Sequence, residues 1–393
     1  MRPLRASRLL PATARVSAGG GPGGLMPRPA RISVKRQDPV QEEKQEKGQQ
    51  WSSGGQIDAK LLNRLIQDSE TADGLFSLAQ QHGHAFDFIH ASTALTRAAK
   101  MLEDARMRSD TTGVALLLSL ARERLPEMQA QALANTVWAV SKLGVDDPTF
   151  VDALLSEARP KLASFGAQAL ANTAYALAKL GRKDITFMSV LLGISSSKMP
   201  EFTEQALANI LWAIATMGLE EKSFVSQLLM EAKPRLPHFH TQNLSNTFWA
   251  LATLGHHDDV FMGALLVEAK PKLHSFTVQA LANTAWALAT LGHKDEVFMC
   301  ALLVAAEPKL LRFDAQNLAN TAWALATLGH KDAVFMRALL VAAMPKLAGF
   351  PRAAVTQMSF ALTQGVRLKG HESQVAEFTQ VLDARRAQLG TGK

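Results

Sequence analysis

The sequence predicts an all-α chain: a right-handed α-solenoid of tandem 37-residue helix-turn-helix repeats, two layers thick and without sheet, with degenerate helical caps. Three observations predict it. A fourteen-residue motif, QALANTAWALATLG in one copy, recurs from Gln131, Gln168, Gln205, Gln242, Gln279 and Gln316 with a constant step of 37. Every copy closes on a glycine: Gly144, Gly181, Gly218, Gly255, Gly292 and Gly329. Two phenylalanine columns keep the same step, one from Phe150 to Phe335 and one from Phe165 to Phe350. A fixed period of this size marks a repeat array, whose repeats bury their apolar faces only by stacking. The chain has 393 residues, beyond the roughly 250–300 at which a single core stops growing. An array escapes that limit because each repeat touches only its neighbours.

Each repeat decodes into two helices. Helix A runs from about the glutamine to the residue before the glycine, which suits the left-handed end of a helix. A short polar turn follows, such as His293-Lys294-Asp295, whose aspartate can cap the next helix. Helix B carries Val297, Phe298, Ala301, Leu302 and Ala305 at helical spacing and ends near Pro308-Lys309-Leu310. Phe313 then leads into the next helix A, with Asp314 as candidate N-cap. The ends are worn copies. Phe350 and Phe360-Ala361-Leu362 hold the register of a seventh repeat, but Gln357 stands where asparagine is expected. Upstream, Leu125 and Met128 keep the register of a preceding helix B, while residues 57–105 match helix A loosely. The expected organisation is a leader (1–37), a disordered linker (38–56), degenerate N-terminal helical repeats (57–128), six repeats (129–349), and a degenerate seventh repeat with a capping helix (350–393).

The net charge of +7 is local in origin. Residues 1–37 hold seven arginines and one lysine with no acid, whereas the rest has 34 basic and 35 acidic residues. An Arg-rich, acid-free leader has the composition of an organellar transit peptide. It places the protein in the mitochondrial matrix, with the plastid stroma as second choice. The nearly neutral remainder gives no global electrostatic footprint for nucleic acid. The single cysteine, Cys300, is read as excluding an internal disulfide and a cysteine-based zinc site. No apolar run reaches the roughly 20 residues of a membrane helix, so no membrane partner is expected.

Two ladders and one variable set are candidate binding residues. Plotting helix A at about 100° per residue leaves an apolar stripe around Leu281 and Leu288, opposite a stripe of Gln279, Asn283, Trp286 and Thr290. The asparagines of this second stripe are Asn135, Asn172, Asn209, Asn246, Asn283 and Asn320. Three residues on stand Trp138, Tyr175, Trp212, Trp249, Trp286 and Trp323. Asparagine inside a helix costs roughly 0.5 kcal/mol relative to alanine, so its recurrence needs an offset. Amides and indoles in a row can hydrogen-bond and stack bases. They can equally form an inter-repeat ladder, each asparagine bonding a neighbouring backbone and each tryptophan filling a gap.

The second ladder is basic: Lys161, Lys198, Arg235, Lys272, Lys309 and Lys346. It suits either a phosphate track or the negative end of helix B. The positions before helix A vary, and Thr203, Glu204, His240 and Asp314 are candidates for selectivity. No catalytic constellation, cofactor motif or small-molecule site is recognisable, and no enzyme activity or cofactor is expected. His256-His257-Asp258-Asp259, the one metal-like run, reads as a variant of the inter-helix turn, so no metal site is expected either.

The LANTxWALAxLG core, followed by a helix ending in PKL, resembles the octotricopeptide and heptatricopeptide repeats of organellar RNA-binding proteins, over residues 129–347. The resemblance implies an α-solenoid that holds single-stranded organellar RNA or rRNA fragments. It implies roles in RNA stability, processing, translation or ribosome biogenesis, with the ribosome or other RNA-processing proteins as further partners. The proline-rich start of helix B typical of octotricopeptide repeats is present only as HKDEVF-type sequence, and the RAP domain that ends many relatives is not expected here. The alternative is an armadillo-like scaffold for extended peptides. There the repeat has about 42 residues and tryptophan precedes asparagine, the reverse of the order here.

Overall fold

The computed structural model describes residues 57–105, 111–364 and 372–391; the leader and the linker lie outside them. Among the described residues there are eighteen α-helices and no strand. None of these helices is long and apolar enough to cross a membrane. The chain is the all-α repeat array that the period demands, and it divides after Phe165 into two compact bodies.

The first body contains helices Ala59–Asp68, Ala72–His82, Phe88–Ala105 and Thr111–Glu123, then helix A (Ala130–Leu143) and helix B (Pro148–Ala158) of the first repeat. Ala59–Asp68 packs on Phe88–Ala105, which packs on Ala130–Leu143, and Ala72–His82 packs on Thr111–Glu123. Residues 57–127 are thus two worn helix pairs. Contacts between pairs stand in for the motif they lack: Ser92 Oγ donates to the Ala132 carbonyl (3.2 Å), and the His90 ring bonds the Ala59 carbonyl (2.8 Å).

The second body holds the other five repeats. Their A helices are Ala167–Lys179, Glu204–Met217, Thr241–Leu254, Val278–Leu291 and Ala315–Leu328. Their B helices are Ile185–Ser197, Lys222–Ala232, Asp259–Ala269, Glu296–Ala306 and Ala333–Ala343. Each helix A packs on the next, and the last packs on Arg352–Gln364; Glu372–Thr391 closes the body.

The local causes are those the sequence supplies. The glycine that closes each helix A has φ between 59° and 72°, the left-handed region that strains a residue with a Cβ. The turn aspartate accepts from the amide three residues on, at 2.8–3.0 Å in Asp147, Asp184, Asp258, Asp295 and Asp332. Helix B stops just before the PKL sequence, which winds into a 3₁₀ turn such as Lys270–Ser275. Proline there has no N–H for the α-helical pattern. Both phenylalanine columns are buried, each ring contributing on the order of 2–3 kcal/mol.

Asp147 gives a test of the caps. The Phe150 amide foremost, then the Thr149 hydroxyl and the Arg122 guanidinium, hold its carboxyl below the usual 3.8. A lowered folded pKa means stability that is complete above 3.8 and fades as pH falls through the lowered value. Asp147→Ala is expected to reduce stability at neutral pH by about 1 kcal/mol, measured as a urea midpoint. The gap from the parent protein should close at acid pH.

Candidate nucleic-acid interface

Helix A buries nearly its whole circumference. In Val278–Leu291, alanine, leucine and threonine from Ala280 to Ala289 are buried, but Asn283 and Trp286 are only half-buried and Gln279 is exposed. The asparagine and the ring are half-buried in every repeat, so the amide-and-indole stripe is the face of helix A that reaches solvent. Within the second body three of its rings meet across repeats. Tyr175 lies 4.9 Å from Trp212, and Trp212 lies 6.1 Å from Trp249, centroid to centroid, with tilted planes. In the first body Lys142 sits over the Trp138 ring at 5.6 Å.

The asparagines divide into two classes. At the array's ends they are bonded. Gln131 donates to Asn135 (2.9 Å). Gln316 donates to Asn320 (2.7 Å) and to Gln357 (3.0 Å), and Gln357 donates to Asn320 (3.0 Å). In the interior, the side chains of Asn172, Asn209, Asn246 and Asn283 have no hydrogen-bond partner among the described residues, yet they are not sealed from solvent. The inter-repeat ladder is therefore real for Tyr175, Trp212 and Trp249 and absent for these four amides. Each carries an open donor pair and an open acceptor beside an aromatic ring, a combination that can bond a base edge and stack its face.

The basic ladder has other partners. Lys272 Nζ donates to the carbonyls of Pro237 (2.8 Å) and Phe239 (3.0 Å). Lys309 does the same to His274 (2.7 Å) and Phe276 (2.8 Å), and Lys346 to Leu311 (2.7 Å) and Phe313 (2.5 Å). Arg235 reaches Pro200 and Phe202, and Lys161 reaches Met128 (2.8 Å). Lys198 is half-buried in the same register. Each cation with these partners ties its repeat to the end of the one before, on carbonyls that the 3₁₀ turn leaves unpaired. Burial, with Arg312 nearby, pulls Lys309 below the usual 10.5. The side chains of Lys161, Arg235, Lys272, Lys309 and Lys346 are thus occupied in the fold.

The variable positions also have structural employment. Thr203 and Asp314 cap their helices through the amides of Ala206 (3.2 Å) and Asn317 (2.7 Å). His240 occupies the N-cap position without a side-chain bond, and Glu204 is in a first turn. At 100° per residue these sites are turned roughly 100–160° from the stripe. Asp258, in the histidine-rich turn, caps helix B through Phe261, as a turn residue should.

The structure also assembles a cluster that cysteine counting hides. Donor atoms of Glu296, Cys300 and His330 lie within 4.8 Å of one another. Counting cysteines along the chain cannot exclude such a site, because folding recruits the histidine and carboxylate from positions up to 34 residues apart.

Comparison with curated proteins finds no match. A family model does match, that of the RNA-editing substrate-binding complex 6 protein, over residues 82–333. The span is well over half of the chain and takes in a worn helix pair and all six copies of the motif. On that extent of agreement, the chain belongs to the RNA-editing substrate-binding complex 6 protein family.

Proposed function

We propose that this protein is an organellar RNA-binding repeat protein that acts after transcription by holding single-stranded RNA along the helix A stripe. The observation that carries the reading is the run of unpartnered amides at Asn172, Asn209, Asn246 and Asn283, each beside an aromatic ring. Its family's name, with an editing substrate and a complex in it, supports RNA and RNA-processing proteins as partners. The octotricopeptide likeness of the motif supports a register of about one nucleotide per repeat, at the 8–10 Å spacing of packed helices. The Arg-rich, acid-free leader supports the mitochondrial matrix. The protein acts by binding, without chemistry of its own.

With the cations of the second ladder bonded to carbonyls, affinity rests on stacking and amide contacts, and its salt dependence is shallow. Five of the six tryptophans stand in the stripe, so the protein reports on itself. Titration with single-stranded RNA is expected to quench tryptophan fluorescence strongly, and the same sequence as a duplex should quench it little. Open amides beside indoles can also hold an extended peptide backbone. Quenching by unstructured peptide and not by single-stranded RNA would replace this proposal with the scaffold reading.

A further inference from the structure

Glu296 and Cys300 are one turn apart on helix B of the fifth repeat, on the same face. His330 comes from the next repeat, in the turn just after the left-handed Gly329. Its own amide is bonded to Leu325 (2.9 Å), which fixes where the imidazole starts. The three donor atoms converge within 4.8 Å, and His330 Nδ1 lies 2.6 Å from Glu296 Oε2.

The burial of this imidazole asks for a partner better than the one it has. Its side chain is 8% exposed, while that of Glu296 is 71% exposed. A bond to so exposed a carboxylate contributes little. His293 and His256 occupy the equivalent turn positions of the two preceding repeats and are only half-buried. The repeat geometry therefore does not by itself bury the ring. The thiol is also particular to this place. One repeat earlier the equivalent positions are Asp259, Gly263 and His293, a carboxylate and an imidazole without a sulfur.

We propose that Glu296, Cys300 and His330 bind a zinc-class divalent cation that clamps the fifth repeat to the sixth. Thiolate, imidazole and carboxylate are the ligand set zinc prefers, and three protein ligands leave a fourth position for water. Zinc–ligand bonds of about 2.0–2.3 Å put ligand atoms roughly 3.2–3.8 Å apart in a tetrahedron. Rotation of the exposed Glu296 and Cys300 side chains supplies that adjustment. The carboxylate accepts from Nδ1–H. Metal binding through Nδ1 takes that proton away and uses the imidazole with its N–H on Nε2, while the thiol proton goes to solvent. Thiolate and carboxylate together neutralise the dication.

The test is titration of the full-length protein with cobalt(II), a spectroscopic probe of zinc sites, followed by displacement with zinc. The expected result is a near-ultraviolet sulfur-to-cobalt charge-transfer band saturating at one equivalent and removed by zinc. Cys300→Ser, at an exposed position, should abolish the band. It should weaken zinc binding at least about 100-fold, more than the loss of an outer-shell partner causes. Glu296→Gln should keep the band at lower affinity. Zinc should raise the urea midpoint of the parent protein and not that of Cys300→Ser. Absence of the band at one equivalent overturns the proposal. So does a zinc affinity that Cys300→Ser leaves unchanged.

Discussion

Changing Asn172, Asn209, Asn246 and Asn283 together to alanine will make the protein more stable and its RNA binding weaker. The two effects have separate origins. Each asparagine sits inside helix A, where alanine is favoured by roughly 0.5 kcal/mol. None of the four amides has a partner to lose. About 2 kcal/mol of added stability is therefore expected from four sites, read as a higher urea midpoint with unchanged helical circular dichroism. On the RNA side each amide is proposed to bond one base. At about 1 kcal/mol net per hydrogen bond, four contacts amount to roughly a thousandfold in affinity. Asn135 and Asn320 are the internal controls, because they are bonded within the protein. A drop in stability would mean that the amides hold the repeats together. Unchanged RNA affinity with a stable fold would remove the stripe as the binding face.

The second large effect falls on the basic ladder. Replacing Lys272, Lys309 and Lys346 together with methionine keeps the apolar stems and deletes the charges. Each ammonium donates to two carbonyls of the preceding repeat. Losing such a pair at a half-buried site should destabilise by about 1–2 kcal/mol, since each carbonyl loses its donor. The three sites lie at successive repeat junctions, so the triple variant should lose roughly 3–6 kcal/mol and unfold at a distinctly lower urea concentration. Below that concentration its affinity for single-stranded RNA and the salt dependence of that affinity should match the parent protein. A phosphate track behaves in the opposite way. Stability would hardly move, while the logarithmic salt slope would drop by about one for each cation.

Much of this molecule is legible in its residues because its causes are local. A left-handed glycine, an aspartate three residues before an amide, and a proline that ends an α-helical pattern act over one turn of chain. Gly292, Asp295 and Pro308 therefore mark their boundaries wherever the array goes. The period of 37 compels stacking, and with it the burial of both phenylalanine columns. The half-exposed asparagine and tryptophan stripe also follows from one helix's rotation. What the stripe and the ladders do depends on distances between repeats, which no single repeat contains. Lys309 finds its carbonyls 33 and 35 residues back, and a side chain's partner across a packed interface leaves no mark in local spacing. Only the stacked structure decides that Asn283 is open while Asn320 is bonded to Gln357. It likewise shows Thr203 and Asp314 capping their helices. The meeting of Cys300 with His330 belongs to the same class: the donors sit on successive repeats, and packing alone sets the gap between them.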